Sequence, residues 1–343
     1  MTRRSIHLFC MLMALGVSAQ AVEFTNSVLD LGVGATALGM GGAYVSLVDD
    51  STASYWNPAG LVDIQHFEIT AAEQGHQSSA LSLGANDVGS DYFFMSGGMT
   101  LPKFGSFGVS VMRFGVSGIP QTTGGTASNG DPFITLGSFS TADWGIFASY
   151  AKALVPAVDL GVTVKMLYGG TNNLQADPTT GVTGDANYDY FGLDLGVKVK
   201  FGELSPKLEG LVFGMNLQDL VNSGVKWSGT ATSPDESVNP NPKLGLSYAP
   251  PLDFLKDAHT KVTFAIDVDP SVYSPSTLIH YGAELWYKEV LAFRGGLMQF
   301  TDSPQGSEPS IGASFRIFML QVDYAYIYYT LTPIQYLDLS VHW

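Results

Sequence analysis

Long segments in which apolar and polar residues alternate set the strongest limit on how this chain can fold. Lys261 to Asp269 reads KVTFAIDVD, and Tyr190 to Phe201 reads YFGLDLGVKVKF. In both, the residues between the apolar ones are mostly polar, charged or glycine. A period of two places all the apolar side chains on one face of a β-strand. Segments of about ten residues are long enough for a tilted strand to cross a bilayer.

Fourteen such segments follow residue 62, and the connections between them are mostly long and polar or short, in alternation. An even number of strands, with long loops at one end and short turns at the other, is typical of an outer-membrane barrel. The sequence therefore predicts an all-β fold, a transmembrane antiparallel β-barrel of about 14 strands over residues 63–343. The predicted strands are 64–74, 91–100, 106–118, 141–154, 158–172, 186–201, 210–221, 241–250, 259–269, 277–288, 290–300, 309–319, 320–331 and 334–343.

A sheet that spans a lipid bilayer is expected to be closed. In lipid every backbone N–H and C=O group must be paired within the protein, so the sheet cannot have an edge. The apolar faces are then expected to contact lipid, while Asp194, Lys198 and Asp267 point into the lumen. Tyr190 and Trp343 are expected in the aromatic girdles. A soluble β-sandwich is the alternative, but its strands average only about five or six residues.

The first residues predict a secretion signal peptide, residues 1–21. Two arginines precede an apolar stretch from Ile6 to Val17, and a small-residue cleavage site follows at Ala19 to Ala21. The apolar stretch is shorter than the roughly 20 residues of a membrane helix. Removal of the signal takes away the single cysteine, Cys10, and moves the net charge from −15 to −17. So acidic a chain lacks the clustered basic residues that bind nucleic acid.

Residues 22–62 do not alternate, and they are predicted to form a separate segment ahead of the barrel. The polar run from Asp49 to Ser51 is typical of a helix cap. Pro58 disfavours the α conformation at Asn57 and so ends the predicted short helix, and Gly60 allows a turn into the first strand. Because most residues here are small, the segment is expected to fit inside the lumen as a plug.

The stretch from Ala37 to Leu61, ALGMGGAYVSLVDDSTASYWNPAGL, resembles the N-terminal signature of the PorV/PorQ family, within the wider FadL-like outer-membrane proteins. Its YWNPAG sequence is similar to the Asn-Pro-Ala motif of the FadL hatch. The resemblance implies a fourteen-stranded barrel whose lumen is filled by an N-terminal hatch. The candidate hatch residues are Gly39, Gly41, Gly42, Asp49, Asp50, Tyr55, Trp56, Asn57, Pro58, Ala59 and Gly60.

The same resemblance implies two functions. FadL-like members carry hydrophobic molecules inward and release them sideways through the wall, whereas PorV-like members serve type IX secretion and receive secreted proteins. We expect passive uptake of hydrophobic or amphipathic small molecules such as long-chain fatty acids, with the secretion role as the alternative. A structural or adhesive surface protein is a third possibility. The expected location is the bacterial outer membrane, and the expected partners are its lipids and the insertion machinery that reads the terminal Trp343.

Inside the predicted lumen, Trp286, Leu167 and Glu284 are candidate ligand contacts, because a mixed apolar and polar lining suits an amphipathic molecule. Packing against the hatch is the alternative role for each. The chain is not expected to be an enzyme or to need a cofactor or metal, since its histidines are scattered and no G-x-S-x-G motif occurs. Loop acids such as Asp235 and Glu236 are interpreted as solvated side chains, with calcium binding as the alternative.

Overall fold

The structure is a computed structural model. It describes residues 29, 31–76, 89–124, 133–177, 182–229, 238–251, 259–270, 277–301, 306–329 and 333–343. The predicted signal peptide and the loop acids Asp235 and Glu236 lie outside these ranges. None of the helices within them is long and apolar enough to span a bilayer.

In the described ranges, short helices precede a run of strands. Helix α1 covers Ala35–Gly39, helix α2 covers Ala53–Trp56, and a 3-10 helix covers Pro58–Asp63. Two more 3-10 turns lie at Phe201–Glu203 and Pro206–Leu208. The strands are β1 (Phe67–His76), β2 (Gly89–Leu101), β3 (Gly105–Gly124), β4 (Phe133–Val155), β5 (Val158–Asp177), β6 (Val182–Lys200), β7 (Leu211–Asn222), β8 (Lys226–Gly229), β9 (Asn241–Tyr248), β10 (Thr260–Asp269), β11 (Leu278–Tyr287), β12 (Leu291–Phe300), β13 (Ser307–Ile317), β14 (Leu320–Ile327) and β15 (Ile334–His342).

The strands form one closed antiparallel sheet. Most strands pair with their neighbours in the chain, β7 pairs with β6 and β9, and β1 pairs with β15 to complete the ring. Strands β7 and β8 pair with successive stretches of β6, so together they occupy one position in the wall. The barrel therefore has fourteen strand positions, which confirms the predicted number; the short strand β8 was not predicted. The end that carries Trp343 and the tight β2–β3, β11–β12 and β13–β14 turns is called the short-turn end below.

The alternation along the strands separates the outside of the wall from the inside. The apolar residues Phe264 and Leu339 are each 52 % exposed on the outer face. The charged residues Asp194, Lys198 and Asp267 are at most 3 % exposed and point inward, as predicted. An apolar outer surface around a polar and aromatic interior is the arrangement that a lipid environment requires of a barrel.

Tyr190 is the exception among the predicted girdle residues named above. Trp343 is 74 % exposed, as an interface residue should be, whereas Tyr190 is buried inside the barrel. Its hydroxyl donates a hydrogen bond to Asp219. The prediction was wrong because Tyr190 has the same parity as the inward-facing Asp194, so the pleat directs both side chains to the lumen.

Candidate functional site: the lumen and the segment inside it

Residues 31–64, called the N-terminal segment, lie inside the barrel. They hydrogen-bond to side chains or backbone of β1, β2, β5, β6, β7, β10, β11, β13, β14 and β15, which between them surround the lumen. Nearly every residue from Val33 to Leu61 is buried. A chain that contacts strands around the whole circumference of a closed barrel occupies its interior.

A ring of inward-facing glycines, the glycine belt, lets the segment approach the wall closely. Four pairs of these glycines are direct cross-strand neighbours. A Cβ atom added at Gly296 would overlap the backbone of Gly41, and one at Gly161 would overlap the backbone of Pro58. Only a residue without a side chain leaves this space. The belt consists of Gly98, Gly108, Gly161, Gly196, Gly214, Gly245, Gly282, Gly296 and Gly312.

The glycines predicted as hatch residues have distinct roles. Gly41 and Gly42 have φ angles of 67° and 82°, a region that favours glycine. Gly39 faces Gly312 of the belt, where an added Cβ would lie 3.1 Å from the Gly312 Cα. Gly60 was predicted to allow a turn into β1, and this was wrong. It lies within the 3-10 helix, and a Cβ there would overlap the carbonyl of Val48.

Three carboxylates on the wall accept hydrogen bonds from backbone N–H groups of the N-terminal segment. Asp267 accepts from two consecutive N–H groups, those of Tyr44 and Val45, at 2.7 Å each. Asp338 accepts from the first residue of α1 at 2.5 Å, and Glu68 accepts from Ser51 at 3.0 Å. Hydrogen bonds from backbone N–H groups to charged acceptors are stronger than neutral ones. These contacts hold the segment at three places around the lumen.

Asn57 connects the predicted motif to the wall. Its side-chain amide donates to the carbonyl of Val45 at 2.8 Å and to that of Val197 on β6 at 3.1 Å. Its side-chain oxygen accepts from the N–H of Ala59 at 3.2 Å. The extended backbone of Asn57, with φ −168° and ψ 106°, ends helix α2 before Pro58, as predicted. One side chain therefore joins two parts of the segment to the barrel.

The aromatic residues of the motif point away from the short-turn end. The Trp56 indole N–H donates to the carbonyl of Val33 at 2.9 Å, and the Tyr55 hydroxyl donates to that of Leu29. Tyr55 also packs edge-on against Phe147 of β4, with ring centroids 6.3 Å apart. Together they anchor an apolar cluster that fills the lumen on the long-loop side of the belt. Wall residues in this cluster include Tyr92, Phe94, Met112, Phe147, Leu167, Tyr188, Tyr190, Ile327 and Tyr336.

Asp50 does not cap helix α2 in the way predicted. Its carboxylate accepts from the N–H and hydroxyl of Thr52, the residue before the helix, and from the Tyr44 hydroxyl at 2.8 Å. Burial, followed by the nearby charges of Glu68 and Asp49, raises the pKa of Asp50 to about 7. Asp50 therefore stabilises the turn ahead of the helix and exchanges a proton near neutral pH.

On the short-turn side, the lumen contains an open cavity of about 1,090 Å³, called the vestibule. The lining contributed by the segment includes Asp49, Asp50 and Asp63, and most of the remaining lining lies on strands β10 to β15 and β1 and in their short turns. Glu284 and Trp286 line this cavity, where Glu284 accepts a 2.7 Å hydrogen bond from Arg294. The lining is rich in charged groups, so the vestibule is suited to water.

The three candidate ligand contacts do not form one site. Leu167 is buried in the apolar cluster on the opposite side of the belt from Glu284 and Trp286. All three side chains face the lumen, as predicted, and their contact with a ligand stays a prediction. A smaller cavity of about 80 Å³ lies on the long-loop side, between Trp56 and Leu38 of the segment and strands β10 to β14.

A buried ionic cluster near Leu167 was not predicted as a unit. The Lys165 ammonium lies 3.0 Å from Asp194 and 2.7 Å from Asp219, and all three side chains are buried. Alternation predicts the inward position of Lys165 and Asp194. Asp219 has a φ of 57° and lies at a bulge in β7, where alternation fails. At the bulge, an odd-numbered residue of β7 points inward beside even-numbered ones, and strict alternation does not predict this change.

The same bulge interrupts the wall between β6, β7 and β9, a place called the seam. The N–H of Asp219 donates to the Asp194 side chain at 2.8 Å, where a backbone partner would be expected. Backbone pairing of β7 with β9 ends at Gln218, and the Asn222 amide donates to the Val238 carbonyl at 3.0 Å. Side chains therefore replace part of the backbone ladder at the seam.

Among comparisons with known proteins, only the one with solved structures found matches. No protein-family model matches this chain, and no curated protein matches it in sequence. Solved structures do match. The toluene transporter TodX of Pseudomonas putida aligns with 14 % identity over 90 % of this chain and 96 % of its own, with a TM-score of 0.55.

Two further structures have the same fold. The toluene transporter TbuX of Ralstonia pickettii aligns with 15 % identity over 90 % of this chain and 97 % of its own, with a TM-score of 0.58. A FadL homologue of Pseudomonas aeruginosa aligns with 12 % identity over 94 % and 99 %, with a TM-score of 0.51. This chain therefore has the closed β-barrel fold of these three proteins.

Proposed function

We propose that the protein is a channel for passive uptake of hydrophobic or amphipathic small molecules across the outer membrane, and that the N-terminal segment is its hatch. The short-turn end then faces the periplasm, as in other outer-membrane barrels. The observation that carries the proposal is the division of the lumen. An apolar, aromatic region that suits a greasy molecule is separated from a polar vestibule by a segment fixed to the wall.

The reported structural neighbours support this proposal by analogy of fold. TodX and TbuX are toluene transporters, and both share the barrel over almost its full length. Fold alone does not determine a ligand. We therefore propose the class of hydrophobic small molecules, with fatty acids and hydrocarbons as its candidate members. Catalysis forms no part of the proposal.

The seam supports a sideways exit of the kind that the resemblance implies. The N-terminal segment packs against the glycine belt and hydrogen-bonds to the wall carboxylates. Moving it out of the lumen would cost much free energy, because many buried hydrogen bonds would break together. An opening in the wall requires fewer changes where side chains have replaced backbone pairs. A ligand released there would enter the bilayer directly, next to the exposed Leu220 and Val221.

The secretion role implied by the PorV/PorQ resemblance stays a prediction, as do secreted proteins and the insertion machinery as partners. The structural neighbours reported above are channels and do not favour it. Recovery of a large secretion complex with the protein from native membranes would reverse this preference.

Uptake is tested in a host that lacks its own channel for hydrophobic substrates. We expect cells that express the protein to take up radiolabelled oleate or toluene faster than cells with an empty vector. The folded barrel is verified by its change in gel migration on boiling. A folded barrel in the outer membrane with no uptake of either compound would refute the proposal.

Removal of residues 22–60 behind an intact signal tests the hatch separately. We expect the shortened barrel to conduct ions in planar bilayers, since no other described segment fills the lumen at the level of the belt. The full chain should conduct little. Equal conductance of the two proteins, both folded, would show that the segment does not block the lumen.

A further inference from the structure

One side of the vestibule carries a group of cationic side chains around a tryptophan. Lys261 of β10 and Trp286 of β11 are cross-strand partners, and Lys288 follows in the β11–β12 turn. The N–H of Arg316 donates to the carbonyl of Val290 in that turn at 2.8 Å. The Arg316 guanidinium lies 4.9 Å from the centre of the Trp286 ring. We call Lys261, Trp286, Lys288 and Arg316 the cationic corner; all four line the vestibule.

The positive charges of the cationic corner lack acidic partners. Arg316 donates to the neutral side chain of Gln321 at 2.6 Å. Within the described ranges, no carboxylate forms an ion pair with Arg316, Lys261 or Lys288. Neighbouring Arg294, in contrast, is paired with Glu284. The chain has 31 acidic and 16 basic residues, so two cations without an ion pair on one side of the cavity, Lys261 and Arg316, are unexpected for a purely structural lining. The Lys288 ammonium lies 5.2 Å from the centre of the Tyr287 ring, and Glu289 beside it also lines the cavity.

The opposite side of the vestibule is acidic. Glu68 of β1, six strand positions around the wall from β10, and Asp50 of the N-terminal segment line it. An anion inside the cavity would be repelled from that side and attracted to the cationic corner. The charges on the walls of the vestibule therefore direct an anion towards the cationic corner.

Apolar residues continue the cationic corner towards the bilayer. Ile317 and Phe318 follow Arg316 directly and line the mouth of the cavity, and Phe318 is 95 % exposed. Val290, next to Arg316, is also exposed at this rim. A cationic site beside an apolar rim is complementary to a molecule with an anionic head and an apolar chain. An uncharged hydrocarbon would use only the rim.

We propose that the cationic corner is a binding site for the anionic head of an amphiphile, such as a carboxylate, at the short-turn mouth of the barrel. The Arg316 guanidinium and the Lys261 ammonium bind the head, and Trp286 and Phe318 contact the chain. The head comes from a transported molecule or from a phospholipid of the surrounding leaflet. The inference rests on the proposed function for its biological role, because it assigns an anionic end to part of the cargo.

Fluorescence of Trp286 tests the site in the purified full-length protein. The probe is 11-bromoundecanoate, whose bromine quenches a tryptophan that it approaches, and 11-bromoundecanol is its uncharged control. We expect saturable quenching by the acid, which is lost in Trp286→Phe and weakened by high salt. The Lys261→Gln/Arg316→Gln double variant should bind the acid about tenfold more weakly. Lys152→Gln, an exposed lysine on the outer wall, should bind as the wild type does.

Equal affinity for the acid and the alcohol would overturn the proposal, and so would unchanged affinity in the folded double variant. Competition by phosphatidylglycerol nanodiscs, with phosphatidylcholine nanodiscs as control, would support the site and assign the head to a lipid. Persistence of acid binding in both nanodiscs would support the site and assign it to cargo. Uptake of toluene without acid binding would refute the site alone, while acid binding without uptake would refute the transport function alone.

Discussion

The two halves of the lumen, on either side of the glycine belt, are filled in opposite ways. On the long-loop side, Tyr55 and Trp56 pack in a cluster with wall aromatics, a paired ionic cluster is buried nearby, and a cavity there measures about 80 Å³. On the short-turn side, about 1,090 Å³ is open and lined by charges. The difference teaches that the segment packs closely against the wall in one half, while the other half is left accessible to water.

The largest expected effect lies in the packed half, at Lys165. Lys165→Met leaves Asp194 and Asp219 buried without their cation, and the loss of one partner from such a group costs about 3–5 kcal/mol. We expect the free energy of unfolding, measured by urea titration of the barrel in lipid, to fall by this amount. Lys152→Met on the exposed outer wall should change it little.

The neutral replacement distinguishes charge from packing at the same site. If unpaired charge is the cause, Lys165→Met combined with Asp194→Asn and Asp219→Asn should regain part of the lost stability. A triple variant as unstable as the single one would show that the cluster acts through its shape alone.

The next effect lies at the belt itself. Gly296→Val places a side chain against the backbone of Gly41, and overpacking of this kind costs about 1–3 kcal/mol. We expect the segment to be displaced and the folded barrel to leak ions in planar bilayers. The adjacent Gly295→Val is the matched control, because nothing lies within 4 Å of a Cβ at that position. Similar leakage from both variants would contradict close docking at the belt.

A smaller effect is expected at Asn57, where the motif meets β6. Asn57→Asp replaces the two N–H donors to Val45 and Val197 with an acceptor, and each lost hydrogen bond costs about 0.5–1.5 kcal/mol. We expect brief channel openings to become more frequent while the barrel keeps its stability. Hydrogen exchange of the segment amides provides a second measurement. Unchanged exchange and unchanged openings would mean that Asn57 does not hold the hatch.

A further effect, measured as a trend with pH, is expected on the vestibule side of the segment. Asp50 has its pKa raised from 3.8 to about 7, so the folded protein holds a proton that the unfolded chain releases. Docking should therefore weaken as the pH rises from about 4 to about 7, and stay constant above. Segment hydrogen exchange should follow this trend, and Asp50→Asn should remove it.

For Asp63 the shift of the pKa has the opposite sign to that of Asp50. Burial raises its pKa, but Lys198 and Lys200 outweigh burial, and the net pKa is lowered. Its contribution to docking should be present at neutral pH and disappear only as acid protonates it. Asp63→Asn should therefore weaken docking most at neutral pH. Unchanged segment hydrogen exchange in this variant at neutral pH would contradict the assignment.

The sequence by itself determined the barrel. A period of two decides the face of each side chain regardless of its distant neighbours, so the lipid-facing stripe and most inward charges were predictable. The strand number followed from the same pattern, and the absence of that pattern separated residues 22–62 from the wall. Asn57-Pro58 marked a helix end because the restriction before proline is local.

Only the tertiary structure decided which inward residues meet. Lys165, Asp194 and Asp219 form one ionic cluster although they lie on three different strands, β5, β6 and β7. Register around a closed ring and the bulge at Asp219 set these neighbours, and both depend on pairing between distant segments. The role of the inward glycines could not be predicted from the sequence either. A glycine in a strand allows close approach of another backbone, and only the structure shows which backbone lies against it.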